Sequence, residues 1–357
     1  MDPEPLRLFV APTWRRDDIP PTPLLYPFWG NPPSSKKPLY RALFERHTFD
    51  TTKYTLTDDI SSAHMVLLPY NHAAMLAQAP NLLELCIKEA ALHNKPLLID
   101  GLGDIERPIE IPNSVVLRWG GYRFLKKENE IHIPFFADDL LEAYCFGNAI
   151  LRKKQLIPTV SFAGWASMTP MQTLRAVLKE LPLRARGIVD ARYRACKKGI
   201  FFRTEALRAL ERSNRVKTTI LRRSSYSGNT ATVQGDPSML QKEMVNMLLE
   251  SDYGLDVRGD ANNSMRLFEI LSLGRIPVIV DTERNFPFSD QLDYSSFSLR
   301  VDFKELHNLP DIVRKFHDSL SDEKFTEMQQ RARAAYREYF RVDALTKHLV
   351  AQLRNRL

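Results

Sequence analysis

Residues 253–281 read YGLDVRGDANNSMRLFEILSLGRIPVIVD, and the order of residue types in this stretch decides the fold. A short apolar strand is expected at 253–257, a polar turn at 258–263, a helix at 264–273 and a second, fully apolar strand at 276–280. Strand, turn, helix, strand is a βαβ unit of a parallel sheet, and ligands of such sheets sit in the crevice outside the carboxyl ends of the strands. The turn from Arg258 to Asn263 occupies that position. Ser264 is a favourable helix N-cap, so the first amides of the helix and the positive end of its dipole face the same crevice. Arg258 and Arg266 add bidentate cationic donors suited to a diphosphate. Gly259 is expected to let the backbone approach, and Glu269, one turn beyond Arg266, is placed to accept from the hydroxyls of a ribose. Gly274 and Pro277 end the helix and open the next strand. Three plainer readings compete: an Arg-Gly-Asp adhesion tripeptide, an Asn262-Asn263-Ser264 sequon, and an idle i, i+3 surface pair of Arg266 with Glu269. The first two require secretion, for which the N-terminus offers no basic segment, apolar core and cleavage site.

Outward from this unit the same alternation recurs. Strands are expected at 6–10, 64–68, 96–99 and 114–117 in the first half and at 159–162 and 217–221 in the second. Helices are expected at 39–45, 81–93, 170–180 and 237–250, with Leu82, Leu85, Cys86 and Ala90 forming the buried face of the second. A proline-rich segment at 20–38 contains Tyr26, Phe28 and Trp29 and reads as a loop that packs, stacks on acceptor sugars or touches lipid. The chain has 357 residues, more than one core usually serves. A boundary is expected near 155, giving an N-terminal domain (1–155), a C-terminal domain (156–330) and a helical tail (331–357) directed back towards the first domain.

Hydrophobic residues make up 44% and charged residues 26% of the chain, a soluble globular composition. A net charge of +7 suits an anionic ligand, yet no nucleic-acid motif accompanies it and none is expected to bind. Cys86, Cys145 and Cys196 are scattered without metal or disulfide spacing, which places the chain in a reducing compartment. The expected location is cytoplasmic, at most peripheral to the membrane.

The 258–288 region resembles the exostosin family, the inverting glycosyltransferases of family 47, and in particular its bacterial branch. The resemblance rests on Arg258-Gly259, on Ser264-Met265-Arg266-Leu267-Phe268-Glu269, on Gly274-Arg275-Ile276-Pro277-Val278-Ile279 and on Pro287-Phe288. Val257 and Arg275 depart from the proline and cysteine common in eukaryotic relatives. The family implies an α/β fold of GT-B architecture, with two Rossmann-like domains facing across a cleft. It also implies the donor in the C-terminal domain, the acceptor in the N-terminal one, and no metal or other cofactor for donor binding. The expected reaction moves a sugar from a nucleotide diphosphate sugar, taken as a UDP-sugar, to a saccharide acceptor of a surface polysaccharide. The alternative is a catalytically inactive GT-B scaffold within a glycan-assembly complex.

Inverting transfer needs a base on the acceptor hydroxyl and stabilisation of the departing diphosphate. Arg258, Asn263, Ser264 and Arg266 are assigned the second role, with Arg222 and Arg223 just after the strand at 217–221 and Gly164 from the turn after 159–162. For the base, Asp104 is the first candidate, then Asp100 and His72. Asp139 competes, although a plain N-cap role fits it equally well.

Overall fold

The structure, a computed structural model, describes residues 4–30, 44–103, 108–223 and 236–357. Strands β1 (Leu6–Phe9), β2 (Tyr54–Thr57), β3 (Met65–Leu67), β4 (Leu97–Asp100), β5 (Ser114–Arg118) and β6 (Glu130–His132) form one sheet in the order β2-β1-β3-β4-β5-β6. Strands β7 (Thr159–Trp165), β8 (Lys217–Arg223), β9 (Tyr253–Asp256), β10 (Ile276–Asp281) and β11 (Leu299–Asp302) form a second in the order β11-β10-β9-β7-β8. All pairings within both sheets are parallel. In each sheet the chain begins in the middle, steps one way, then reverses. Each therefore has one topological switch point, between β1 and β3 and between β7 and β9, where a doubly wound sheet opens a crevice. Two such units make the GT-B architecture.

The residues account for the elements. All six side chains of β10 are buried, as a central parallel strand requires, whereas β8 lies at an edge and alternates polar residues. In chain order the helices that matter are α1 (His72–Gln78), α2 (Pro80–Leu92), α3 (Leu140–Cys145), α4 (Pro170–Lys179), α5 (Leu181–Val189), α6 (Gly199–Glu211), α7 (Pro237–Leu249), α8 (Met265–Ser272), α9 (Leu309–Ser319), α10 (Asp322–Ala335) and α11 (Val342–Arg354). Helix α2 buries Leu83, Cys86 and Ala90; Leu85, expected inside, is exposed. A capping box of Thr169 and Gln172 starts α4. The strands β2 and β6 and the helices α1, α5, α6 and α9 have no counterpart in the sequence reading.

The two units share their interior. The core of the first sheet continues into Leu267, Phe268 and Leu271 of α8 and into Val342, Leu345, Leu349 and Leu353 of α11. The tail is not one helix: α10 passes through a π-turn (Tyr336–Phe340) before α11 begins. Thr346 Oγ of α11 accepts from the Asp50 amide at 3.0 Å. Helix α3, ahead of residue 155, already packs on α7 and α8. The aromatic loop is a cover for the first core, with Leu24 and Leu25 buried, Tyr26 against Phe44 and Phe28 against Tyr54; residues 31–43, including most of the helix expected at 39–45, lie outside the described residues. Among the described residues no helix is long and apolar enough to cross a membrane.

Arg275, one of the departures from the eukaryotic pattern, is fully buried behind β10. Its guanidinium donates to the carbonyls of Ile150, Leu248 and Leu249 and to Gln329 Oε1, and burial pushes its pKa down to about 10. Arg275→Met should leave these acceptors unpaired and lower the unfolding free energy by ~3 kcal/mol, read from the urea midpoint.

Candidate functional site

The site forms where β7 and β9 diverge. Arg203 of α6 spans this gap, donating to the carbonyls of Val257 (3.2 Å) and Trp165 (3.0 Å). Arg266, in the first turn of α8, donates to the Ala163 carbonyl at 2.9 Å, next to Gly164. Its Nη1 lies 2.9 Å from Glu269 Oε2, with only 18% and 12% of the two side chains exposed. That degree of burial is not that of an idle surface pair, because two charges withdrawn from water are held for a structural or chemical reason. Ser264 occupies the N-cap position in extended conformation but makes no side-chain capping bond, so its hydroxyl does not close the first amides of α8. Asn263 is buried, and its Nδ2 has no hydrogen-bond partner among the described residues.

Arg258 differs from expectation. It is 1% exposed and faces inward, donating to the carbonyls of Ala195 (3.0 Å), Lys197, Gly259 (3.2 Å) and Asp260 (3.0 Å). With Tyr122 and Phe202 on its faces, the guanidinium organises the turn from within and presents no free fork to a diphosphate. The close approach assigned to Gly259 belongs instead to Gly199, where a Cβ would stand 2.1 Å from the Gly259 carbonyl oxygen; the helix α6 can meet the turn only through a glycine. Arg222 and Arg223 point to opposite faces of β8, as neighbours on a strand must. Arg222 forms a two-point pair with Glu211 that raises its pKa, and Arg223 pairs with Glu243. Neither joins the Arg266 crevice.

Across the seam, the loop after β5 meets this turn. A Cβ on Gly120 would fall 2.9 Å from the Asn262 carbonyl oxygen, so only glycine allows the contact. Asn262 Nδ2 donates to the carbonyls of Gly121 and Thr282, and its Oδ1 accepts from Thr282 Oγ at 2.6 Å. Arg123 grips Asp281 with both carboxylate oxygens near 3 Å, and the Asn285 amide donates to the Gly121 carbonyl. Behind them Arg284 and Asp256 form a buried pair at 2.7 Å. Sequence reasoning missed this set because its members are far apart in the chain and match no local pattern.

On the first sheet, Asp100 ends β4 and is 3% exposed. Its Oδ1 accepts from the Leu102 amide and from Asn71 Nδ2, and burial raises its pKa. This carboxyl ties two loops together and is spent on that task. His72 opens α1 directly after Asn71 at the β1/β3 switch point and is half-buried. Burial, with the Arg118 guanidinium adding to it, holds its pKa below the ordinary imidazole value. Asp104 lies outside the described residues. Asp139 is the N-cap of α3 and receives both Nη groups of Arg333. It also clusters with His47 and Glu142, but Arg333 and Arg341 already neutralise those carboxylates, so the cluster is a cross-domain tie.

His132, at the end of β6, accepts from Asn285 Nδ2 at 3.2 Å, and burial, with Lys126 and Arg118, pushes its pKa down to about 3. Between pH 6.5 and 3 the unfolded chain therefore binds the proton that the folded chain refuses, and stability falls as pH falls. A loss of roughly 5 kcal/mol is expected across that window, and His132→Gln should flatten it in denaturation curves taken at successive pH values.

The Exostosin GT47 domain model matches residues 190–316, which include the turn, α8 and β10. Exostosin-1 homolog of Caenorhabditis elegans is 27% identical over 105 residues, 29% of this chain and 26% of that protein. Exostosin-1 of Drosophila melanogaster is 30% identical over 94 residues, 26% of this chain and 12% of that protein. The aligned part is thus about a quarter or less of those relatives' own length. Among solved structures, TarM aligns at 10% identity and a TM-score of 0.36 over 77% of this chain and 58% of its own. The GtfA/B complex bound to UDP and GlcNAc aligns at 10% identity and 0.30 over 82% and 57%. Over residues 190–316, about a third of its length, the chain is therefore similar to the exostosin GT47 domain.

Proposed function

We propose that the β7/β9 crevice binds a nucleotide diphosphate sugar, a UDP-sugar in the first instance, and that the protein transfers the sugar with inversion to a saccharide hydroxyl. The observation that carries this reading is the buried Arg266–Glu269 pair in the first turn of α8, set against Ala163 and Gly164 at the switch point. The phosphates take the amides at the start of α8, Asn263 Nδ2 and the guanidinium of Arg266, whose positive charge balances the diphosphate as the bond to the sugar breaks. Glu269 accepts from the ribose hydroxyls. Arg258, Arg203 and Gly199 shape the turn without touching the donor. This charge balance is built from protein groups, so donor binding is expected to persist in a chelator.

For the base we place His72 ahead of Asp100. A neutral imidazole at a switch point can take the acceptor proton as the acceptor oxygen bonds to the anomeric carbon, whereas Asp100 already accepts from two neighbours. His72→Gln should lower kcat ~100-fold with donor affinity unchanged; the same loss in Asp104→Asn with His72→Gln unaffected would move the assignment to Asp104. The acceptor is a saccharide of a surface polysaccharide, assembled at the cytoplasmic face of a membrane. The overall reading is tested by a screen of sugar nucleotides that detects release of the nucleotide diphosphate. Release with one donor supports transfer, and UDP binding without release from any donor across a broad acceptor panel favours a non-catalytic scaffold.

A further inference from the structure

The outer face of α6 carries a groove that the transfer just described does not use. Its volume is about 1280 Å³, and it lies between α6, the segment 166–184 and the start of α9. Six cations line it, Arg184, Lys197, Arg208, Arg212, Arg215 and Arg222, against two carboxylates, Glu205 and Asp311. Three of the six are partly balanced: Arg184 by Glu180, Arg215 by Asp311 and Arg222 by Glu211. Among the described residues no carboxylate stands within salt-bridge distance of Arg208, Arg212 or Lys197. Arg208 and Arg212 are one turn apart on the face that also presents Thr204, and Lys197 precedes the helix, so the uncompensated charge extends about 20 Å along the axis. A single phosphate does not need that length; an extended polyanion does.

The remaining lining selects among polyanions. Thr173, Thr204 and Asn214 add hydroxyl and amide groups between the cations, which suits the hydroxyls of a sugar chain. Among the described residues the lining holds two aromatic rings: Phe201, covered by the Arg184 guanidinium at 5.6 Å, and the small imidazole of His307, a poor platform for a run of stacked bases. One end of the groove begins at residue 166, directly after β7, and at Lys197, whose carbonyl Arg258 holds. It therefore opens beside the donor crevice.

We infer that this groove binds a linear acidic glycan, holding the carboxylate-bearing part of an acceptor or product chain next to the site of transfer. The placement next to transfer rests on the function proposed above; the binding itself does not. The probe is a decasaccharide of galacturonic acid, titrated by fluorescence anisotropy against the full chain, beside a neutral glucan and a single-stranded oligonucleotide of equal length. The acidic glycan is expected to bind in preference to both, with affinity falling as salt rises. Arg208→Glu/Arg212→Glu should weaken it at least about tenfold while leaving UDP affinity as it was, and the milder Arg208→Gln/Arg212→Gln pair, checked for an unchanged melting curve, should fall between. Equal binding of the neutral glucan, tighter binding of the oligonucleotide, or wild-type affinity in both double variants would overturn the inference. Acidic-glycan binding by a chain that does not bind UDP would remove the transfer reading and leave the groove standing.

Discussion

Replacing Arg266 by alanine is expected to weaken binding of a nucleotide diphosphate ~100-fold, the equivalent of one or two charge-assisted hydrogen bonds lost from a sheltered site. The effect has two parts. The phosphate loses its cation, and Glu269, 9% exposed, is left as an unbalanced carboxylate pointing at the same crevice. Arg266→Lys restores charge but not the fork that reaches both Glu269 and the Ala163 carbonyl, so it should recover only part of the affinity. Arg266→Ala/Glu269→Gln removes the stray charge and should bind better than Arg266→Ala alone. Calorimetric titration with UDP reads all three, and equal affinity in Arg266→Ala and the wild type would refute the role assigned to this pair.

Arg258→Met should give the largest loss of stability in the second domain, ~3–5 kcal/mol, because the buried guanidinium donates to four carbonyls that methionine cannot serve. Two of them, Ala195 and Lys197, belong to the segment that leads into α6, so the turn and that helix should loosen together. Donor affinity should fall as a consequence of this loosening. A variant that keeps its urea midpoint but loses UDP binding would instead mark Arg258 as a direct ligand.

The outcome at Arg258 shows what residue order can and cannot convey. Local periodicity placed the strands at 253–257 and 276–280 and the helix at 264–273 within a residue or two, because each is apolar at its own period and bounded by Gly, Pro or a cap. It also brought Arg266 and Glu269 onto one face, since i, i+3 spacing is fixed by the helix itself. Which way Arg258 points depends on the carbonyls of residues 195 and 197, some sixty positions away, and on Gly199, which carries no side-chain signal. The strands β2 and β6 were missed for a related reason: Tyr54–Thr57 alternates weakly and Glu130–His132 is three residues long, so their pairing partners define them more than their own sequence does. Likewise Asp100 looks free in the chain and is engaged in the fold, because Asn71 comes from another strand's loop.

Hydrogen–deuterium exchange of the full chain with and without UDP tests the central claim most directly, since it locates the nucleotide without altering a residue. Slower exchange is predicted for peptides covering 163–166 and 259–269, at the β7/β9 switch point and the start of α8. Protection confined to the outer face of α6 or to the first sheet, with 259–269 unchanged, would contradict it.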